Sequence, residues 1–292
     1  MEAIEIYENI MVYQNVFDEP ERLFEIVKES SKNNPDRIMG EWSEWSGFGN
    51  YIKHAFPDLV KINPKTNRPT EFDLETINDL KTNSKVQEDQ KYLLLEIKNG
   101  FDKVTEAYIS KYKDKFDFDK EELIKTHTGE YIPLWGNDGP SICQYHKDIT
   151  TTMSMRYHSD YMREPMKSPG YKFAITANYY FNDDYEGGDL DFYIDGNLIK
   201  YKPRAGDWVV FPSGHPDVLG KNDKVYLHGV CPSNGAEKYF IRTYWTKYEV
   251  GEPDWFAQQE KHGKELWATL YKEMMGQYAP QRDSIPEGVR IR

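Results

Sequence analysis

Cysteine is scarce in this chain, with two residues, Cys143 and Cys231, in 292. Two thiols cannot build a disulfide framework, and such sparing use suits a reducing compartment. Neither has a Cys-x-x-Cys neighbour, which argues against a cysteine-held metal. Long apolar runs are missing too. No stretch approaches the roughly 18 apolar residues of a membrane-spanning helix, and Met1–Ile10 carries acids where a secretory leader has a basic start and an apolar centre. A soluble, cytoplasmic protein is the expectation. Basic residues are outnumbered, 37 Lys and Arg against 49 Asp and Glu, for a formal net charge of −12. That balance lacks the footprint that phosphate backbones and anionic membranes attract, so neither nucleic acid nor a membrane is an expected partner. No internal repeat or low-complexity segment is evident.

What the chain has is rings. Aromatic residues make up 15 % of it, 22 of them Tyr, within a hydrophobic fraction of 38 %. A core is within reach for one large domain or two modest ones. In the first third, Ile4 to Phe17 alternates loosely and predicts one or two strands. Asp18-Glu19-Pro20-Glu21 predicts a helix start, with Asp as cap, Pro in the first turn and acids at the positive end of the dipole. Leu23, Phe24, Ile26 and Val27 give that helix its apolar face, and Asn33-Asn34-Pro35-Asp36 ends it. Trp42 and Trp45, in a turn-rich stretch, either line a peptide groove or, as tryptophans more often do, pack on a neighbouring sheet. Asn63 to Asn83 reads as a long surface connection. Glu88 to Phe116 is the longest helical stretch, with Leu93, Leu94, Ile97, Phe101, Val104, Ala107, Tyr108 and Tyr112 near a 3.6 period and Gly100 as its weak point. The charged run Asp114 to Glu122 predicts a solvated helix face or turn.

From about Pro133 the pattern changes to short strands separated by turns. Ser141 to His146, Thr150 to Tyr157, Tyr171 to Phe181, Leu190 to Ile194, Leu198 to Lys202, Asp207 to Phe211, Val225 to His228 and Tyr239 to Trp245 are the predicted strands. Asn182 to Gly188 is a turn, and Asp195-Gly196 is a hairpin signal. This spacing predicts a β-sandwich or barrel, because a doubly wound sheet would need helices between the strands. Pro253 to about Met275 predicts a helix, and Pro280 to Arg292 a tail. The expected fold class is α+β with a mainly β core. Its segments are a helical and irregular region over 1–130, the β core over 131–250, and a C-terminal helix and tail over 251–292, together one structural domain.

The most informative stretch is Tyr157-His158-Ser159-Asp160. Residues two apart in extended backbone point the same way, so His158 and Asp160 can hold one edge of a divalent cation. By itself His-x-Asp is a short pattern that also reads as a polar pair at a strand end. A third ligand would make a two-histidine, one-carboxylate triad with open positions. Of the downstream histidines, His262 lies in a polar helical stretch and His215 in a turn, while His228 sits at a strand end and suits a rigid ligand. The ordinary alternative for His228 is a buried histidine bonded to backbone. Lys238 and Arg242 share one strand face with Phe240 and Tyr244. Either cation could meet a carboxylate inside the barrel, or simply meet solvent.

Six motifs, in this order and spacing, resemble the prolyl 4-hydroxylase branch of the Fe(II)- and 2-oxoglutarate-dependent oxygenases. They are Tyr157-His158-Ser159-Asp160, Asn178-Tyr179-Tyr180-Phe181-Asn182, Tyr185 to Leu190, Pro203 to Pro212, His228 to Pro232, and Glu237 to Ile241. The resemblance spans about Gln144 to Tyr248, roughly a third of the chain. It implies a double-stranded β-helix, a jelly roll with supporting helices. It implies His158, Asp160 and His228 as Fe(II) ligands and catalytic centre. It implies Lys238, ten residues beyond the distal histidine, as the 2-oxoglutarate carboxylate ligand, with Tyr180 as a further one. Arg242 departs from the pattern, which has a small residue there, and is either a competitor for that carboxylate or a substrate contact. The implied cofactors are Fe(II), 2-oxoglutarate and O2, with ascorbate in support. The implied reaction is hydroxylation of an unactivated carbon, with succinate and CO2 as co-products. Three functions follow: hydroxylation of a prolyl or other residue in a peptide, the same chemistry on a small molecule such as a free amino acid or nucleotide, and a non-catalytic jelly-roll binding or structural module.

Overall fold

Alternating side chains give each strand of this protein two different faces, and two hydrophobic clusters form on either side of one large sheet. In this computed structural model the described residues are 1–31, 43–44, 52–55, 62–63, 68–69, 74–115, 122–125, 129, 131–150, 153–160, 170–213 and 226–249. In chain order the first elements are β1 (Glu2–Tyr7), β2 (Ile10–Gln14), α1 (Pro20–Ser31), β3 (Ser43–Glu44), β4 (Ile52–Ala55), β5 (Ile62–Asn63), β6 (Arg68–Pro69), α2 (Leu74–Asp79) and α3 (Lys85–Tyr112). There follow β7 (Leu123–Lys125), β8 (Tyr131–Pro133), β9 (Trp135–Tyr145), β10 (Met155–His158), β11 (Gly170–Tyr180) and β12 (Glu186–Gly187). The last are β13 (Leu190–Ile194), β14 (Asn197–Tyr201), β15 (Trp208–Pro212), β16 (Leu227–Val230), β17 (Ser233–Asn234) and β18 (Lys238–Glu249).

The large sheet has the order β1-β2-β15-β11-β18-β9-β4-β3, and a four-stranded sheet has the order β10-β16-β13-β14; the named pairs are antiparallel. This is the strand-rich jelly-roll architecture expected from the motif series. Tyr180, Val209, Phe211 and Phe240 of the large sheet meet Met155, Leu190, Phe192, Ile194 and Val230 of the small one, forming the inner core. The other face of the large sheet, with Ile175, Tyr179, Trp208, Ile241 and Trp245, packs on Leu93, Ile97, Phe101, Val104 and Tyr108 of α3. Burying both faces in this way is the main stabilising term. Gly100 has a packing reason: a Cβ there would lie 2.5 Å from the Phe17 ring and 3.3 Å from Trp208. Among the described residues no helix is long and apolar enough to cross a membrane.

Several expectations for the first half need correction. The stretch read as a surface connection contains the β5–β6 pair and α2, whose Ile77 is fully buried. The strands predicted over Ile4 to Phe17 are β1 and β2, and β2 pairs with β15 in the large sheet, while β4, which was not predicted, pairs with β9. These strands are short, and their partners lie far along the chain, so local pattern is a weak guide. The long helix starts earlier than predicted, at Lys85, because Ser84 caps it by accepting from Gln87 N while Gln87 accepts from Asn83 N. The Gln87 side chain thus reaches back one residue past the cap, a variant of the capping box. Strand β9 begins at Trp135 rather than Ser141. Trp42 and Trp45, the C-terminal helix and tail, His215 and His262 lie outside the described residues.

The double glycine before β13 is a backbone requirement. Gly187 has φ +66°, and a Cβ on it would lie 2.5 Å from the Pro232 carbonyl oxygen. The next carbonyl, Gly188 O, accepts from Lys238 Nζ at 2.6 Å. Gly187→Ala is expected to cost about 1–3 kcal/mol, from left-handed strain plus the contact with backbone. A urea midpoint equal to that of the wild type would show that Pro232 can move aside.

Candidate metal centre

The small sheet brings two histidines together by register. His158, the last residue of β10, pairs directly with His228 of β16, and the ring centroids are 4.4 Å apart. Asp160, two residues past the end of β10, stands between them, with His158 Nε2 3.6 Å from its Oδ1 and His228 Nε2 3.6 Å from its Oδ2. One donor atom from each of the three lies within 4.8 Å of the others. Both histidines are buried, and His228 sits edge-to-face against Phe211 at 4.8 Å.

Neighbouring groups fix His228 and Asp160. The His228 Nδ1–H donates to the Tyr226 carbonyl at 3.2 Å, so the other ring nitrogen, Nε2, presents its lone pair to the site. The Thr176 hydroxyl donates to Asp160 Oδ2 at 2.6 Å, and the Tyr244 hydroxyl to Oδ1 at 3.4 Å. Asp160 therefore hangs from the small sheet and is oriented by β11 and β18 of the large one. Burial pushes the Asp160 carboxyl up, but His228, His158 and Thr176 outweigh it and hold the group well below the usual carboxylate range. Burial pushes His228 down to about 4, with Asp160 opposing, so its imidazole is neutral at pH 7. Two imidazole nitrogens and one ionised carboxylate, convergent on one point, fit a divalent transition metal.

The triad opens on a cavity lined by the inner face of the large sheet. Its wall is a ladder of paired residues. Thr176 faces Tyr244, the rung that holds Asp160. Asn178 faces Arg242, which in turn faces Ser141 of β9. Tyr180 faces Phe240, whose ring stacks on Tyr145 at 5.2 Å and on Tyr180 at 5.8 Å. Lys238 lies one rung further, opposite Tyr145. Its side chain is fully buried, and its ammonium is 4.8 Å from the Tyr180 ring centroid, behind the aromatic rung. Burial, reinforced by Lys202, lowers the Lys238 pKa to about 7. So the structure brings His158, Asp160, His228, Tyr180 and Arg242 to the cavity itself and puts Lys238 just beyond its floor.

Thr176, Tyr244 and Asn178 are the site residues that sequence reasoning passed over. One signal was available. All three share strand parity with residues already singled out, Thr176 and Asn178 with Tyr180, and Tyr244 with Arg242. Residues 161–169, between Asp160 and β11, lie outside the described residues.

Residues 142–247 match the family model for the 2OG-Fe(II) oxygenase superfamily. This span contains the triad, Tyr180, Lys238 and Arg242, and bears out the resemblance at the level of the superfamily, with its cofactors Fe(II), 2-oxoglutarate and O2. No curated protein matches. Solved structures similar to this chain include a prolyl-4-hydroxylase from Pseudomonas putida, 14 % identical with a TM-score of 0.46, covering 82 % of this chain and 92 % of that one. The viral collagen prolyl hydroxylase of Paramecium Bursaria Chlorella virus-1, as a 2OG complex, is 14 % identical with a TM-score of 0.47, covering 82 % and 97 %. A dioxygenase for auxin oxidation from rice is 14 % identical with a TM-score of 0.48, covering 81 % and 72 %. At these levels the likenesses carry no argument about substrate.

Proposed function

We propose that this protein is a Fe(II)- and 2-oxoglutarate-dependent dioxygenase that hydroxylates an unactivated C–H bond. The observation that carries the reading is the convergence of His158, Asp160 and His228 on a cavity that Arg242 and Tyr180 also line, with Lys238 just beyond its floor. His158 and His228 would hold the metal through Nε2, and Asp160 through its carboxylate. When bound, Fe(II) with 2-oxoglutarate and O2 supplies the oxidising equivalents that insert one oxygen atom into C–H, releasing succinate and CO2.

The chain's own residues bind, orient and keep the site dry. Thr176 and Tyr244 hold the Asp160 carboxylate in place, and Tyr226 holds the His228 tautomer. Lys238 is the ligand for the far carboxylate of 2-oxoglutarate, with Tyr180 beside it. In the ligand-free protein its charge is directed to the Gly188 carbonyl and the Tyr180 ring. Tyr145, Phe240 and Leu190 give the cavity an apolar lining that excludes water. A prolyl side chain in a peptide is the substrate that the motif resemblance implies. The test is to incubate the Fe(II)-loaded protein with 2-oxoglutarate and prolyl peptides, measuring succinate and the mass of the peptide. The expected result is succinate matched by one added oxygen. Succinate without peptide oxidation would keep the reaction class and remove the prolyl peptide.

The Lys238 pKa of about 7 gives this reading a pH dependence. Below about pH 7 the ammonium is already charged, and 2-oxoglutarate affinity is flat. Above it the free amine must take up a proton on binding, so affinity falls by up to tenfold per pH unit. Calorimetry in two buffers of different ionisation heat should show proton uptake at about pH 8 and little at about pH 6. Uptake equal at both would show that Lys238 does not titrate with the ligand.

A further inference from the structure

One ring stands across the path between the metal ligands and Lys238. Side chains two apart on a strand share a face, so Tyr244, Arg242, Phe240 and Lys238 follow one another along the inner face of β18. A dicarboxylate held by the metal at one end and by Lys238 at the other has to pass the Phe240 rung. There Phe240 is the middle one of three nearly parallel rings. It stacks on Tyr145 of β9 at 5.2 Å and 9°, and on Tyr180 of β11 at 5.8 Å and 22°. All three rings line the cavity, and Lys238 does not. The cation lies behind them, fully buried. Its Nζ donates to Gly188 O at 2.6 Å and lies 4.8, 5.7 and 6.0 Å from the ring centroids of Tyr180, Tyr185 and Tyr145.

On the triad side the cavity measures about 30 Å³. One water molecule needs roughly 10–15 Å³ of such space, so a five-carbon dicarboxylate does not fit unless a side chain moves. The far end is fixed by backbone. Gly188, which holds Lys238, donates its own N–H to Pro232 O at 2.8 Å. The metal end is fixed by the bonds from Thr176 and Tyr244 to Asp160. Phe240 stands between the two ends, carries no polar atom in its side chain, and leaves the stack by rotating about χ1 to another staggered position. We propose that Phe240 is a gate, which closes the way to Lys238 by stacking between Tyr145 and Tyr180 and swings aside to admit 2-oxoglutarate. Closed, it screens a buried cation from small anions. Its rotation then sets the rate at which Lys238 captures the far carboxylate. This inference rests on the oxygenase reading and deepens it.

The test is a binding rate, without turnover. Under argon, Fe(II)-loaded protein is mixed rapidly with increasing 2-oxoglutarate, and the growth of the visible charge-transfer band is timed. In the wild type the observed rate is expected to level off at high 2-oxoglutarate, because ring rotation limits it. In Phe240→Ala it should rise in proportion to concentration and exceed the wild-type plateau by at least about fivefold, since both stacking contacts are gone. Phe240→Leu keeps apolar bulk without the stacking and guards against a folding artefact. Its plateau should lie at least about threefold above that of the wild type. A wild-type rate that stays proportional to concentration throughout would overturn the proposal and leave Phe240 as a packing residue of the inner core. A plateau that both variants leave unchanged would also overturn it, by placing the slow step elsewhere, as in movement of Lys238 itself. No band in a folded wild type that holds Fe(II) would instead sink the oxygenase reading, and this inference with it.

Discussion

His228→Ala should reduce Fe(II) binding and 2-oxoglutarate turnover to the level of a protein-free control. The other two ligands come from one short segment, residues 158 and 160, and only His228 closes the site from a second strand. Without it the metal keeps two donors and no face of three. The variant should still fold. His228 is one side chain in an inner core that also holds Phe192, Phe211 and Val230, and truncating it removes a polar ring from apolar surroundings. Equilibrium dialysis against Fe(II) reads the metal, and circular dichroism reads the fold. A folded variant that retains one tightly held iron would show that another residue completes the site.

Lys238→Ala should leave metal binding near the wild-type level and weaken 2-oxoglutarate by at least about 30-fold. Removing one partner of a buried hydrogen-bonded charge pair costs about 2–5 kcal/mol, and each 1.4 kcal/mol is about tenfold. The split matters more than the size. Lys238 is separated from the triad by the rungs of Phe240 and Arg242, so its loss cannot act through the ligands directly. A general loss of folding would lower both affinities together. Unchanged 2-oxoglutarate binding in Lys238→Ala, with the loss appearing in Arg242→Ala, would transfer the carboxylate to the cation that lines the cavity.

What the sequence revealed followed local rules. Strand β13 was legible to the residue, because Gly187-Gly188 precedes it and Asp195-Gly196 follows it. Both residues of the second pair have positive φ, 50° and 80°, as a two-residue hairpin turn requires. The start of α1 was legible to within one residue: Pro20 lies in the first turn as predicted, with Glu19 rather than Asp18 in the cap position, its carbonyl accepting from Leu23 N. The first half of β9 was not. Trp135-Gly136-Asn137-Asp138-Gly139-Pro140 has the residues of a turn and is a strand because β18 runs long enough to pair with it, with Trp135 stacked on Trp245 at 4.5 Å. The same non-local logic hid part of the site. His158, Asp160 and His228 could be picked out as residue types on strands, whereas the support of Asp160 by Thr176 and Tyr244 exists only once the small sheet lies over the large one.

The most direct measurement is made without oxygen. Fe(II) and then 2-oxoglutarate are added to the metal-free protein, with His158→Ala alongside, and the visible spectrum is followed for a metal-to-ligand charge-transfer band. The expected result is a band in the wild type that requires both additions and is missing in His158→Ala. It needs no knowledge of the primary substrate, since it reports 2-oxoglutarate bound directly to iron at His158, Asp160 and His228. A folded wild type that gives no band with both present would contradict the oxygenase reading.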